Sequence, residues 1–92
     1  MMMKTVVVKF AGTIDIGRAG IDDIELEFDD EGEARREVEA GEHALTWFVQ
    51  APPGSKYSIE ISEPEEAKFK HEGTIDHTTR DAGVQWFQAG EA

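Results

Sequence analysis

Cysteine is absent from the 92-residue sequence, and basic residues are scarce. Without cysteine the chain cannot form disulfides, thiolate zinc sites or a thiol nucleophile. Nine Lys and Arg against 20 Asp and Glu leave a formal net charge of −11. Because nucleic-acid backbones and anionic membrane surfaces repel a chain this acidic, neither is an expected partner.

Long hydrophobic runs are also missing, since Lys4 and Lys9 interrupt the apolar start of the chain. No apolar stretch approaches the roughly 20 residues that span a bilayer, and no signal-peptide pattern is present. We therefore expect no membrane insertion and a cytoplasmic location. A chain of 92 residues has room for one core, which predicts a single domain over residues 1–92.

Helical periodicity is absent, and apolar residues recur at every second position instead. The clearest case is residues 23–29, where three apolar side chains alternate with four carboxylates. Strands are predicted at residues 4–10, 13–16, 23–29, 34–39, 43–51, 57–62, 67–75 and 84–89. Short strands separated by regular turn signals predict an all-β chain, a single antiparallel β-sandwich of immunoglobulin-like or related topology.

Turn residues suggest how these strands connect. Asp30-Glu31-Gly32 is predicted to close a hairpin between residues 23–29 and 34–39, and Pro52-Pro53-Gly54 the next hairpin along the chain. Residues 76–83 form the longest predicted loop. The first hairpin turns Arg36 toward the core, which is unfavourable unless its charged end reaches an edge or a bulge shifts the parity, so Arg36 argues against this register.

Alternation also selects the predicted core. Residues on the apolar side of each strand are assigned to it, since successive side chains of a strand face opposite ways. They are Val6, Val8, Phe10, Ile24, Leu26, Phe28, Leu45, Trp47, Ile59, Ile61, Phe69 and Trp86.

Residues 22–33 hold eight carboxylates and no basic residue. Calcium takes several oxygen ligands, so this composition raises a calcium hypothesis. However, strand geometry holds Glu25 and Glu27 about 7 Å apart, and the segment lacks the spacing of an EF-hand loop. The favoured interpretation is a solvated strand face that discourages edge pairing, with a calcium-stabilised fold as an alternative.

Catalytic motifs are missing as well. His43, His71 and His77 could share a metal only with Asp76 or Asp81, and their spacing matches no ligand motif. There is no serine elbow, no phosphate-binding glycine loop and no Rossmann fingerprint. We therefore predict no catalytic residue, metal or cofactor, and a non-enzymatic protein.

A Trp-Phe pair occurs twice, as Trp47-Phe48 and Trp86-Phe87, each within a predicted strand. Adjacent side chains of a strand face opposite ways, so one ring of each pair must face outward. Alternation with neighbouring apolar residues favours the tryptophans for the core. Phe48 and Phe87 are therefore predicted to face outward.

Two outward phenylalanines would form an apolar patch on an otherwise highly charged chain. The leading hypothesis is a protein-interaction or self-associating module with Phe48, Phe87, Gln50 and Gln85 as contact residues. Its partner would be another protein or a second copy of the chain, which would make a homodimer. The alternative is that a terminal segment or the long loop covers these rings, or that a bulge turns one of them inward.

Outward tryptophans would suggest a different ligand. If Trp47 or Trp86 faced out beside glutamines, the flat ring could stack against a sugar. A carbohydrate-binding module is therefore the alternative function. It ranks below self-association because alternation favours the tryptophans for the core.

One stretch resembles a known group of small β-sandwiches. Residues 38–43 (Val-Glu-Ala-Gly-Glu-His) precede an apolar strand, which Pro53-Gly54 and residues 57–61 (Tyr-Ser-Ile-Glu-Ile) follow. This arrangement resembles PEGA-type and carboxypeptidase-regulatory-like domains, in which a glycine turn and a Pro-Gly turn bracket a central strand. The glycine hairpin normally seen upstream is missing. The resemblance implies a non-catalytic adhesive or accessory module.

Overall fold

The structure, a computed structural model, describes residues 2–90 and contains eight strands and one short 3₁₀ helix there. The strands are β1 (Met3–Gly12), β2 (Ile16–Ile21), β3 (Ile24–Glu25), β4 (Glu33–Glu39), β5 (Gly41–Gln50), β6 (Lys56–Glu63), β7 (Phe69–Thr74) and β8 (Arg80–Ala89). The 3₁₀ helix spans Glu65–Ala67. Within residues 2–90, no helix is long and apolar enough to cross a membrane.

The strands form two antiparallel sheets of four strands each. Sheet I has the order β4-β1-β6-β7, and sheet II has the order β3-β2-β5-β8. The predicted all-β class is therefore confirmed, with two antiparallel sheets as in a sandwich. The immunoglobulin-like topology stays a prediction.

One apolar core joins residues of both sheets. Its fully buried large side chains are Val6, Val8, Ile21, Leu45, Val49, Ile59, Ile61 and Ile75. Most of the predicted core is buried or packed against this cluster. Ile24 and Trp86 are exceptions, because both side chains are exposed, and their predicted places in the core are wrong.

The acidic segment 23–29 is mostly an irregular connection rather than a strand. Only Ile24–Glu25 pairs, and it joins β2 through a two-residue turn at Asp22 and Asp23, which have φ of 52° and 67°. Positive φ at both central residues is the geometry of a tight hairpin turn. Leu26, just after β3, is buried, and its N–H donates to the carbonyl of Ala19 on β2 at 2.8 Å. Alternation thus predicts the burial of Leu26, but neither the exposure of Ile24 nor the strand that supplies the hydrogen bonds.

Neither of the two predicted hairpins forms. β4 pairs with β1 instead of with residues 23–29. β5 and β6 belong to different sheets, so Pro52-Pro53-Gly54 carries the chain from sheet II to sheet I. The left-handed conformation predicted for Gly32 is present, with φ of 78°. A turn sequence specifies a reversal of the chain, but the next strand can join the opposite sheet.

Arg36 lies on the inward side of β4, together with buried Ala34 and Val38. Its side chain is half-buried and lines the same surface depression as Asp22. Arg36 therefore faces inward although the predicted hairpin does not form, and its long side chain lies at a surface depression rather than in the core.

Two strand boundaries matter for the outer face of sheet II. The predicted strand ends at Ile16, whereas β2 begins there. The sequence pattern does not indicate β2 because Gly17 and Gly20 interrupt its apolar alternation. β8 begins at Arg80, so the predicted loop over residues 76–83 is shorter than expected. The longer β8 places residues 80–83 in the same strand as the second Trp-Phe pair.

Candidate functional site

The outer face of sheet II carries an uncharged patch that centres on β5 and β8. Trp86 is 61% exposed and Val84 is 57% exposed, while Phe48 is half-buried. The patch consists of three outward-facing cross-strand pairs: Ala44 opposite Trp86, Thr46 opposite Val84, and Phe48 opposite Ala82. We call these six residues the β5–β8 patch.

Charged residues border the β5–β8 patch on three sides. Arg18 of β2 lies opposite Phe48. Glu42 is at one end of the patch, where it pairs with Gln88, and Arg80 is at the other end, where it pairs with Gln50. The fourth side is the edge of β8 that pairs with no other strand within residues 2–90, here called its free edge. An apolar centre with a polar rim is the usual anatomy of a protein contact surface.

Phe87 faces the core, so the prediction that it faces outward is wrong. Its side chain is 7% exposed, and its ring packs against His43 with the ring centroids 5.9 Å apart. Trp86 takes the outward position instead. Of the two rings predicted to face outward, only Phe48 does so.

Two inward residues determine which face of β8 meets the core. Gly83 lies opposite Trp47, and a Cβ at Gly83 would approach the Cζ2 atom of Trp47 to 2.2 Å. Asp81 accepts a hydrogen bond of 2.5 Å from the hydroxyl of Tyr57. Both share the inward side with Phe87. The available sequence signal was Gly83, since a large ring on a neighbouring strand requires a position without a side chain.

Gln50 and Gln85 lie on different faces of sheet II. Gln50 alternates with Phe48 on the outer face, next to the patch. Gln85 shares the inward side with Phe87, and its Nε2 donates to the carbonyl of Trp86 at 2.9 Å. The predicted placement of Gln85 beside the patch is therefore wrong. The contact role of Phe48 and Gln50 stays a prediction.

A buried polar network links the two sheets below the patch. Nε1 of Trp47, on β5, donates to the hydroxyl of Tyr57, on β6, at 3.2 Å, and this hydroxyl donates to Asp81. His71 packs against both rings at centroid distances of 5.2 and 5.8 Å. Burial and the hydrogen bond to Asp81 raise the pKa of Tyr57 to about 12. The phenol therefore stays protonated near neutral pH and connects the sheets.

A second polar cluster lies around His43. Its Nδ1 bonds the carboxylate of Asp22, and its Nε2 lies 2.6 Å from the carbonyl oxygen of Glu39. Asp22 also accepts the N–H of Ala44 at 3.0 Å. Burial disfavours both charged forms, but the hydrogen bonds outweigh it, so the pKa of His43 is raised and the pKa of Asp22 is lowered. Both ring nitrogens face acceptors, which favours a doubly protonated imidazolium.

The acidic and histidine residues do not converge on a metal site. Among residues 2–90, no group of three or more His, Cys, Asp and Glu side chains could hold a metal ion. Within the acidic segment 22–33, Asp22 bonds a histidine, and Asp29 accepts two backbone N–H bonds in its own turn. His71 packs against aromatic rings, while His77 is exposed in a loop.

Comparison of the chain with known proteins gave no matching family model, no matching curated protein and no matching solved structure. The resemblance of residues 38–61 to PEGA-type and carboxypeptidase-regulatory-like domains therefore rests on its turn residues alone. In the structure, these turns bracket β5, with Gly41 at its start and Pro53-Gly54 after its end.

Proposed function

We propose that this chain is a non-enzymatic interaction module that binds a second copy of itself, or another protein, through the β5–β8 patch. The observation that carries the proposal is the exposure of Trp86 and Val84 beside Phe48. In a chain with a net charge of −11, an exposed uncharged patch with a charged rim has the composition of a protein contact surface. Tryptophan at such a surface often supplies much of the binding energy.

The state of the polar groups supports a binding role over a catalytic one. Within residues 2–90, no buried side-chain nitrogen or oxygen lacks a hydrogen-bond partner. The buried hydroxyl of Tyr57 and the His43–Asp22 pair are engaged inside the protein. The groups with shifted pKa values therefore have structural partners that explain their shifts without a substrate.

Analytical ultracentrifugation over a range of concentrations tests the proposal. We expect the wild-type chain to associate as its concentration rises, and Trp86→Ser to weaken this association. Met3→Ser is the matched control, because Met3 is also an exposed apolar residue but lies on β1 of sheet I, away from the patch. The proposal is wrong if the wild type stays monomeric and Trp86→Ser changes neither its association nor its binding of any partner.

The outward position of Trp86 also supports carbohydrate binding as a second candidate function. The surroundings of the ring favour this function less. The side-chain amide of Gln85 bonds the carbonyl of Trp86, the amide of Gln88 bonds the carbonyl of Gly90, and the cross-strand neighbour is Ala44. The amide donors of the glutamines beside the ring are therefore engaged within the chain, and the charged groups lie at the rim of the patch.

Tryptophan quenching separates these two functions. Acrylamide should quench the exposed Trp86 strongly and the buried Trp47 weakly. If a soluble oligosaccharide protects Trp86 at protein concentrations where the chain is monomeric, carbohydrate binding replaces the protein-contact proposal. If protection instead follows the protein concentration without added sugar, the protein-contact proposal is supported.

A further inference from the structure

We infer that two copies of this chain associate by antiparallel pairing of β8 with β8 at the free edge of sheet II. The inference rests on the proposed function, because it specifies the partner and geometry of the β5–β8 patch. It would join two four-stranded sheets into one sheet of the order β3-β2-β5-β8-β8-β5-β2-β3.

The four strand edges described in residues 2–90 differ in charge and length. β3 has two residues, β4 carries five charged side chains among seven residues, and β7 carries Lys70 and Glu72. Charged and short edges resist pairing with other chains. β8 has ten residues, and its only charges are at Arg80 and Asp81. Two chains that each carry −11 can therefore approach with least repulsion along residues 82–89.

Hydrogen bonds show which backbone groups of β8 face the free edge. The N–H of Ala82 donates to its neighbour's side chain, Asp81 Oδ1, at 3.0 Å. The carbonyls of Trp86 and Gly90 accept side-chain amides at 2.9 and 2.8 Å. In an antiparallel ladder, alternate residues direct both backbone groups to the same side. The even-numbered residues, including Val84, therefore direct their N–H and C=O groups to the outer edge, where pairing with a second copy would exchange the side-chain partners of Ala82 and Trp86 for backbone ones.

A two-fold axis at Val84 makes the edges of two copies complementary. In this register, Trp86 of one copy lies opposite Ala82 of the second copy, beyond which lies Phe48 of that copy. A large ring next to a small residue packs efficiently across strands. The exposed side of Trp86 would thereby gain a neighbour that a single copy does not supply.

The same register is complementary in charge. Arg80 of the second copy lies opposite Gln88, whose intrachain neighbour on β5 is Glu42. The backbones of Arg80 and Glu42 would be about 10 Å apart, a gap that the two long side chains can span. The two-fold axis repeats this contact, so each copy contributes one arginine and one glutamate. This pairing favours a second copy over an unrelated partner.

Cysteine cross-linking tests the geometry, because the chain has no native cysteine. In the proposed pair the Cα atoms of the two Val84 residues are about 5.5 Å apart, within disulfide range. We expect Val84→Cys to form a disulfide-linked dimer under mild oxidation. Thr46→Cys is the matched control on the same face, since its two copies would lie about 14 Å apart and could not be bridged.

Proline tests the backbone contact. Because the N–H of Val84 faces away from β5, Val84→Pro should leave the intrachain sheet intact. It removes one intermolecular hydrogen bond from each copy, which should raise the dimer dissociation constant about 30-fold. Val84→Thr keeps the N–H and the side-chain shape, and it should change this constant by less than about fivefold.

The outcomes separate this inference from the proposed function. Efficient cross-linking of Val84→Cys alone, with weaker association of Val84→Pro, supports edge pairing. If Thr46→Cys cross-links as well as Val84→Cys, or Val84→Pro associates normally, the copies meet face to face, and edge pairing is wrong while self-association stands. A wild-type chain that stays monomeric at its highest soluble concentration overturns edge pairing and self-association together.

Discussion

The two Trp-Phe pairs have the same sequence but opposite orientations. In the first pair, on β5, Trp47 faces the core and Phe48 faces outward. In the second pair, on β8, Phe87 faces the core and Trp86 is exposed. A dipeptide therefore does not determine its own orientation, and the strand around it does.

The difference comes from what each strand places on its inward side. On its inward side β5 presents the buried apolar row Leu45, Trp47 and Val49. On β8 the inward row includes Gly83, which leaves room for the ring of Trp47, and Asp81, which bonds Tyr57. The ring of Trp47 thus occupies the core space beside β8, and Trp86 of that strand faces outward instead.

Truncating the two aromatic residues of β8 should give the largest change in the free energy of unfolding and so tests this comparison most directly. Phe87→Ala should lower the free energy of unfolding by about 3 kcal/mol, because it leaves a cavity in the core. Trp86→Ala should change it by less than about 1 kcal/mol, because that ring is mostly exposed. Urea denaturation of both variants measures the difference. Equal losses, or a larger loss for Trp86→Ala, would contradict the observed orientation of β8.

Adding a methyl group at Gly83 tests why β8 has this orientation. At an unhindered strand position, alanine is more stabilising than glycine. Gly83→Ala should instead destabilise the fold by about 2 kcal/mol, since its Cβ would collide with the ring of Trp47. Thermal denaturation measures the effect, and the same substitution in a Trp47→Leu background is the control. A Gly83→Ala variant that gains stability would show that Trp47 does not occupy this space.

Removing the hydroxyl of Tyr57 tests the polar part of the inward row. Tyr57→Phe should cost about 1.5 kcal/mol, because the indole N–H of Trp47 and the carboxylate of Asp81 both lose a buried partner. Asp81→Asn is the control, since its side-chain oxygen can still accept the hydroxyl and should cost less. Urea denaturation measures the unfolding free energy of both variants, provided that its dependence on urea concentration is the same as in the wild type. If Tyr57→Phe is neutral, Asp81 does not hold β8 inward.

The fold class and most of the core could be predicted from alternation. Leu45, Trp47, Ile59 and Ile61 are buried as predicted, because period-two patterns report which side of a strand is apolar. Strand partners could not be predicted in the same way. The pattern at residues 23–29 belongs mostly to an irregular connection, in which buried Leu26 keeps one backbone hydrogen bond to Ala19 of β2.

The outer-face patch could be predicted only in part. Strand geometry predicts that one ring of each Trp-Phe pair faces outward. For the first pair it also predicts the outward ring correctly, namely Phe48. The choice between Trp86 and Phe87 depended on Gly83, whose effect arises from Trp47 on another strand. The bond between His43 and Asp22 joins residues 21 positions apart and likewise has no local signal.

The smallest expected effect concerns the neighbour of the inward Phe87, His43. The raised pKa of His43 means that the folded state holds its proton more tightly than the unfolded state, so the pair contributes stability that is lost as the pH rises through the folded-state pKa. The lowered pKa of Asp22 has the opposite sign, and its contribution is lost as the pH falls. The pair should therefore stabilise the fold most between the unfolded-state values of 3.8 and 6.5.

His43→Gln measures this contribution when its unfolding free energy is compared with that of the wild type across pH. We expect a difference of about 1 kcal/mol near pH 5, since the Asp22 carboxylate is partly exposed to water, and a smaller difference at alkaline pH. Asp22→Asn is the matched control, because asparagine tolerates the positive φ of the turn and retains an acceptor for the N–H of Ala44. A difference that stays constant from acid to alkaline pH would show that His43 is neutral in the folded state. Phe87, the inward ring of the second Trp-Phe pair, would then pack against an uncharged imidazole.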